Sequence, residues 1–107
     1  MKLLTKQEEL LMLALFRLRE NAYLVNIREH IIETAGKDWA FGSIYMSLEK
    51  LRKNGYVKTR MGEPSSSRGG KAIKFYELTE RGIAVLAETK KLHDRMWKEF
   101  SKFGLIR

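Results

Sequence analysis

Residues 42–82 read GSIYMSLEKLRKNGYVKTRMGEPSSSRGGKAIKFYELTERG. Ile44, Leu48 and Leu51 recur at i, i+4 and i+7, the spacing of one buried helical stripe, and predict a helix over 43–54. Asn54-Gly55 closes it with the residue pair that best accepts positive φ. Tyr56 to Met61 and Ala72 to Leu78 are rich in β-formers. The decapeptide GEPSSSRGGK between them holds three glycines and the chain's only proline, which predicts a hairpin tip. Thr79 then caps a further helix reaching about Phe103, with Gly82 in its first turn, where a glycine costs less than in mid-helix. From Gly42 to Tyr76 there are eight Lys/Arg against two acidic residues, an excess of six out of a formal +8. The stretch that decides the fold also carries most of the charge.

Upstream, Thr5 and Glu8 have the spacing of a capping box. Leu10, Leu11, Ala14 and Leu18 follow at helical intervals, so a first helix is expected from Lys6 to about Glu20, ended by Asn21. Tyr23 to Val25 are enough for a short strand. Asn26 and Glu29 repeat the capping spacing and predict a second helix from Ile27 to Ala35, with Ile27, Ile31 and Ile32 buried and Gly36 as its stop. The expected chain is mainly helical with one small β-hairpin, in the order helix, short strand, helix, helix, strand, wing, strand, helix. That is the order of a winged helix-turn-helix. Residues 1–79 are assigned to it, and 80–107 to a terminal helix of the same compact unit.

At 107 residues the chain suits one domain. Glu8 and Glu9 interrupt the apolar start MKLLTKQEELLMLALF, and no small-residue cleavage site follows, so it reads as a helix of the mature fold. No run approaches the roughly 20 apolar residues that span a bilayer. There is no cysteine, which excludes disulfides and thiolate metal sites and fits a reducing cytoplasm. A sequence pI near 9.9 favours a polyanionic partner. Residues 1–41 balance six basic against six acidic side chains, so the excess is a localised patch that points to nucleic acid rather than a membrane. Gly69-Gly70-Lys71 lacks the spacer and the following Ser/Thr of a nucleotide-binding phosphate loop, and it precedes a strand. His30 and His93 have no companions at ligand spacing, so neither a metal nor a cofactor is expected. No nucleophile and base are paired, and no enzyme activity is expected.

The B-form major groove admits an α-helix and presents a readable donor and acceptor pattern. Ser43, Met46 and Ser47 suit its floor: serine donates or accepts, and methionine can touch a thymine methyl. Tyr45 is placed to contact phosphate, a contact that positions without specifying sequence. Lys50, Arg52, Lys53, Lys58, Arg60 and Lys74 supply charge. Arg68, Gly69, Gly70 and Lys71 offer two cations on a slim backbone able to follow a phosphate ridge or enter the minor groove. The plain alternative is a solvated hairpin tip.

Gly42-Ser43-Ile44-Tyr45, Leu48-x-x-Leu51, Gly55-Tyr56-Val57, Arg68-Gly69-Gly70 and Tyr76-x-Leu78-Thr79-x-x-Gly82 together resemble the PadR family of bacterial transcriptional regulators. Leu4-Thr5-x-x-Glu8 and Trp39 also match, and the resemblance spans nearly the whole chain. It implies a homodimeric repressor of a palindromic double-stranded DNA operator, with Tyr45 on phosphate, Ser43, Met46 and Ser47 in the groove and Arg68 to Lys71 at the wing tip. The return strand departs from the family pattern, with Ala72, Ile73 and Phe75 where cations are common and Glu77 in place of an arginine. Ile83, Leu86, Leu92, Met96, Trp97, Phe100 and Phe103 load the last helix beyond what a small core covers, which marks an interface. By the resemblance, Leu86, Leu92, Met96, Trp97 and Phe100 meet the two-fold mate. Plain interface packing is the more common fate of a tryptophan such as Trp97; the resemblance adds the alternative that Trp97 and its symmetry mate stack a planar aromatic effector, whereas Trp39 is expected as a core wedge. Two other readings stand beside DNA binding: a ligand-responsive sensor, and a protein-interaction module on the same scaffold. The latter needs an apolar cluster on the outward face of the third helix, where Met46 is alone.

Overall fold

The computed structural model describes residues 3–63 and 72–106, with side chains through Phe100. The expected wing tip, Arg68 to Lys71, lies outside the described residues, as does the side chain of Phe103.

Helix α1 (Lys6–Leu18) opens on the predicted capping box. Thr5 Oγ1 accepts from the Glu8 amide at 3.1 Å, and Glu8 Oε1 accepts from the Thr5 amide at 2.8 Å. Its inner face buries Leu11, Met12, Ala14 and Leu15. The helix stops short of the expected Glu20 because Arg19 turns to φ +54, and a 3-10 turn covers Arg19–Asn21.

The next segment corrects the expectation. Tyr23 makes one isolated bridge to Phe75, and the short strand is no longer than that. Helix α2 (Leu24–Ala35) starts at Leu24, three residues before Ile27, and its N-cap is Tyr23. Asn26 is inside it: its carboxamide donates to the Asn21 carbonyl at 3.0 Å and so satisfies the preceding turn instead of capping. Ile27 and Ile31 are buried as expected, but Ile32 is exposed, because one step along a helix rotates a side chain by about 100°. Gly36, at φ +65, ends the helix.

Arg28 organises the turn into α3 (Phe41–Lys53). Its Nε donates to the Trp39 carbonyl at 2.8 Å, its Nη2 pairs with Asp38, and its guanidinium lies 4.8 Å from the Phe41 ring centroid. Trp39 packs, half-buried, against the core. Ile44, Leu48 and Leu51 are fully buried, and at about 1.5–3 kcal/mol for each buried side chain they fix which face of α3 turns inward.

Strands β1 (Val57–Met61) and β2 (Lys74–Leu78) pair antiparallel in the register Val57↔Leu78 to Met61↔Lys74. Alternation sends Val57, Thr59, Tyr76 and Leu78 towards α3, and Lys58, Arg60, Phe75 and Glu77 to the opposite face. Helix α4 (Glu80–Ile106) follows directly, and 27 residues at 1.5 Å each make it about 40 Å long. Thr79 ties its start to the turn before β1. Its Oγ1 accepts from the Gly82 amide at 3.0 Å and donates to the Gly55 carbonyl at 2.6 Å. A Cβ on Gly82 would stand 2.2 Å from the Tyr56 carbonyl oxygen, so backbone meets backbone there and only glycine fits. Val85 and Thr89 continue this inner stripe, and His93 Nε2 reaches Glu9 of α1 at 3.0 Å. Among the described residues no helix is long and apolar enough to cross a membrane.

Candidate nucleic-acid interface

With its core stripe fixed, α3 presents two flanks and an outer ridge. The flank beside α1 carries Ser43 and Ser47, one helical turn apart. Both are held by Gln7, whose Nε2 donates to Ser43 Oγ at 3.0 Å and whose Oε1 accepts from Ser47 Oγ at 3.0 Å. Lys50, on the same side, stands 3.9 Å from the buried Glu8 carboxylate. The flank beside the sheet carries Tyr45, Glu49 and Arg52. Lys74 Nζ bridges from β2 to Glu49 at 3.4 Å and lies 5.5 Å from the Tyr45 ring and 5.6 Å from the Tyr76 ring. The ridge between the flanks is left open. Met46 is 67% exposed, Lys53 has no ion-pair partner among the described residues, and the space beside Gly42 is empty to 4 Å.

Electrostatics sort the cations by what already holds them. Glu49 is drawn below the usual carboxylate range, first by its hydrogen bond from Arg52, with desolvation opposing and Lys74 adding to the pull. Tyr76 is pushed up to about 12 by burial, reinforced by the Glu49 charge, and stays a neutral phenol. Lys58 and Arg60 lie on the hairpin face away from α3, where Glu77 pairs with them at 3.8 and 2.8 Å. Arg60 also donates to the Glu20 carbonyl and stacks 4.4 Å over the Phe75 ring. The sequence reading treated all the cations from Lys50 to Arg60 as one pool. The structure divides them, with Lys50, Lys53 and Lys74 around α3 and Lys58 and Arg60 behind the sheet. Around α3, Lys50 and Lys74 keep partly exposed ammonium groups beside carboxylates that are themselves largely buried.

Three of the predicted dimer residues stand clear of the body. Met96, Trp97 and Phe100 are 74%, 56% and 58% exposed, beyond the last tie of α4 to α1 at His93, and the Trp97 and Phe100 rings meet edge to face at 5.1 Å. Leu92 is half-buried, and Leu86 packs partly against the chain's own core. Among the described residues no group of three or more His, Asp or Glu side chains converges as a metal site. Gln7 is the residue that sequence reasoning missed. No local pattern marks it, because its partners are 36 and 40 residues away.

The Transcriptional regulator PadR-like family model matches residues 12–88. No curated protein matches the chain in sequence. Among solved structures, a PadR-like transcription factor from Bacteroides fragilis is 27% identical with a TM-score of 0.67, covering 90% of this chain and 84% of that one. A PadR family regulator from Clostridium difficile R20291 is 25% identical with a TM-score of 0.68, covering 92% and 97%. One from Eggerthella lenta is 24% identical with a TM-score of 0.69, covering 88% and 80%, and supports the fold alone.

Proposed function

Because the chain belongs to the PadR-like family of transcriptional regulators, we propose that it binds double-stranded DNA as a homodimer and represses the genes beside its operator. The observation that carries this reading is the open ridge of α3. Folding buries Ile44, Leu48 and Leu51 but covers none of Gly42, Met46 and Lys53. Gly42 is informative because its helical backbone needs no glycine and none of the described residues crowds it. Gly42 is the second residue of α3, where glycine costs less than in mid-helix, and its missing side chain leaves room for close approach by an outside backbone. In this reading Ser43, Met46 and Ser47 face the groove floor, Tyr45 and Lys50 meet phosphate, and Lys74 reaches the same strand from β2. The wing over 62–71, with Arg68, Gly69, Gly70 and Lys71 at its tip, takes phosphate or minor groove. Two copies joined through α4 bind a palindrome.

Fluorescence anisotropy on short duplexes tests the proposal. Affinity should fall steeply with salt, by roughly three decades between 50 and 200 mM if six phosphates are engaged, and a palindromic site should win over random duplex. Weak binding that ignores salt and sequence would overturn it. A second reading, a sensor of planar aromatic ligands, is favoured by the exposed edge-to-face pair of Trp97 and Phe100. It predicts that such ligands quench Trp97 fluorescence and change operator affinity, and that Trp97→Phe loses the quenching.

A further inference from the structure

We propose that Gln7, a residue of α1, sets what Ser43 and Ser47 of α3 can read, by fixing one hydroxyl as a donor and the other as an acceptor. The inference rests on the DNA-reading function proposed above and extends it to a residue outside the reading helix.

A free serine hydroxyl has one hydrogen and two lone pairs, and it rotates to suit whatever base edge it meets. A serine alone therefore discriminates poorly. Ser43 and Ser47 are not free. The Gln7 nitrogen can only donate, so Ser43 Oγ, 3.0 Å away, must accept from it. The Gln7 oxygen can only accept, so Ser47 Oγ, also 3.0 Å away, must spend its single hydrogen there. What remains for an outside partner is opposite at the two positions. Ser47 has lone pairs left and can only accept. Ser43 keeps its hydrogen, which has no partner among the described residues, and can donate.

Gln7 is itself held in place. It lies in the first turn of α1, whose start is fixed by the capping box, and its neighbour Glu8 is buried beside Lys50 of α3. The carboxamide spans the gap between two helices and bonds across both its ends, so its rotation is restricted by the same contacts that orient the serines. In major-groove terms, the base edge under Ser47 should carry an exocyclic amine, adenine N6 or cytosine N4. The edge under Ser43 should carry an acceptor, such as guanine O6 or N7 or thymine O4. Reading of this kind is a property of the three side chains together.

Selection of bound duplexes from random DNA, with the full chain and its variants at one salt concentration, tests the assignment. Ser43→Ala and Ser47→Ala should each relax preference at one base position, and the positions should differ. Gln7→Ala frees both hydroxyls and should relax both positions at once, by about fivefold each, the worth of one neutral hydrogen bond, with the salt dependence of affinity unchanged. Gln7→Glu is the sharper variant. A carboxylate only accepts, so both serines must donate to it, and the preference under Ser43 should switch from an acceptor-bearing base to an amine-bearing one. A residue that merely supported the fold would not produce that switch. If the parent protein selects a site and Gln7→Ala and Gln7→Glu select the same one, the inference fails while the DNA-reading function stands. If the parent protein enriches no sequence at all, both fail.

Discussion

Tyr76 is the residue at which burial and charge act together most strongly. Its hydroxyl sits among α3 and β2 side chains with Glu49 close by, so its ionisation lies near 12 instead of the ordinary 10.0. The folded chain favours the neutral phenol. This contribution is therefore fully present below about pH 10 and is lost as pH rises through 12. Urea denaturation at successive pH values should reveal a fall in stability across that window, and Tyr76→Phe should flatten it. Glu49 has the opposite sign, since its carboxyl is drawn down by Arg52 and Lys74, and what it contributes is lost as pH falls through its lowered value. At this scale the sequence was a partial guide. The spacing of α3 turns Tyr45 and Lys50 outward, and both are exposed, but the ties of Lys74 to Glu49 and of Ser43 and Ser47 to Gln7 depend on which elements become neighbours.

Elements were legible where local chemistry decides them. The Thr5 and Glu8 box starts α1, Gly36 ends α2, and the Ile44, Leu48, Leu51 stripe orients α3, all as the spacing predicts. The start of α2 was not, because the Asn26 carboxamide donates to the Asn21 carbonyl of the preceding turn instead of accepting from an amide of its own helix. Gly82 was underestimated for a related reason. As a first-turn glycine it looks inexpensive, yet α4 leaves β2 with its backbone against Tyr56, leaving no room for a Cβ. Gly82→Ala should cost about 3 kcal/mol, the upper end for overpacking, read as a lowered urea midpoint. The loss should appear equally in fluorescence and circular dichroism, since the Thr79 and Gly55 contact that it strains joins α4 to the body of the fold.

At the scale of the whole molecule, α4 has two halves with different tasks. Up to His93 it packs on α1 and the sheet through Gly82, Val85 and Thr89. Beyond His93 it carries Met96, Trp97 and Phe100 into solvent, a cluster that the described residues leave largely uncovered. In the proposed dimer this half meets its mate. The double variant Met96→Glu, Phe100→Glu should then sediment as a folded monomer. It should also bind a palindromic site roughly a hundredfold more weakly, since linked half-sites are lost as a unit. A variant that stays dimeric would move the interface elsewhere. The first turn of α1 joins both ends of this scheme, with Gln7 and Glu8 on α3 and Glu9 on α4.

By itself the sequence determined the four helices with a hairpin between the third and fourth, the inward face of α3 and the concentration of positive charge between Gly42 and Tyr76, because helix periodicity, capping and charge are properties of neighbours along the chain. Only the tertiary structure decided which cations lie around α3 and which behind the sheet, which apolar residues of α4 lack cover, and that Gln7 holds Ser43 and Ser47. These depend on contacts between residues far apart in the chain, and the spacing of residues along it carries no record of such contacts until the helices pack.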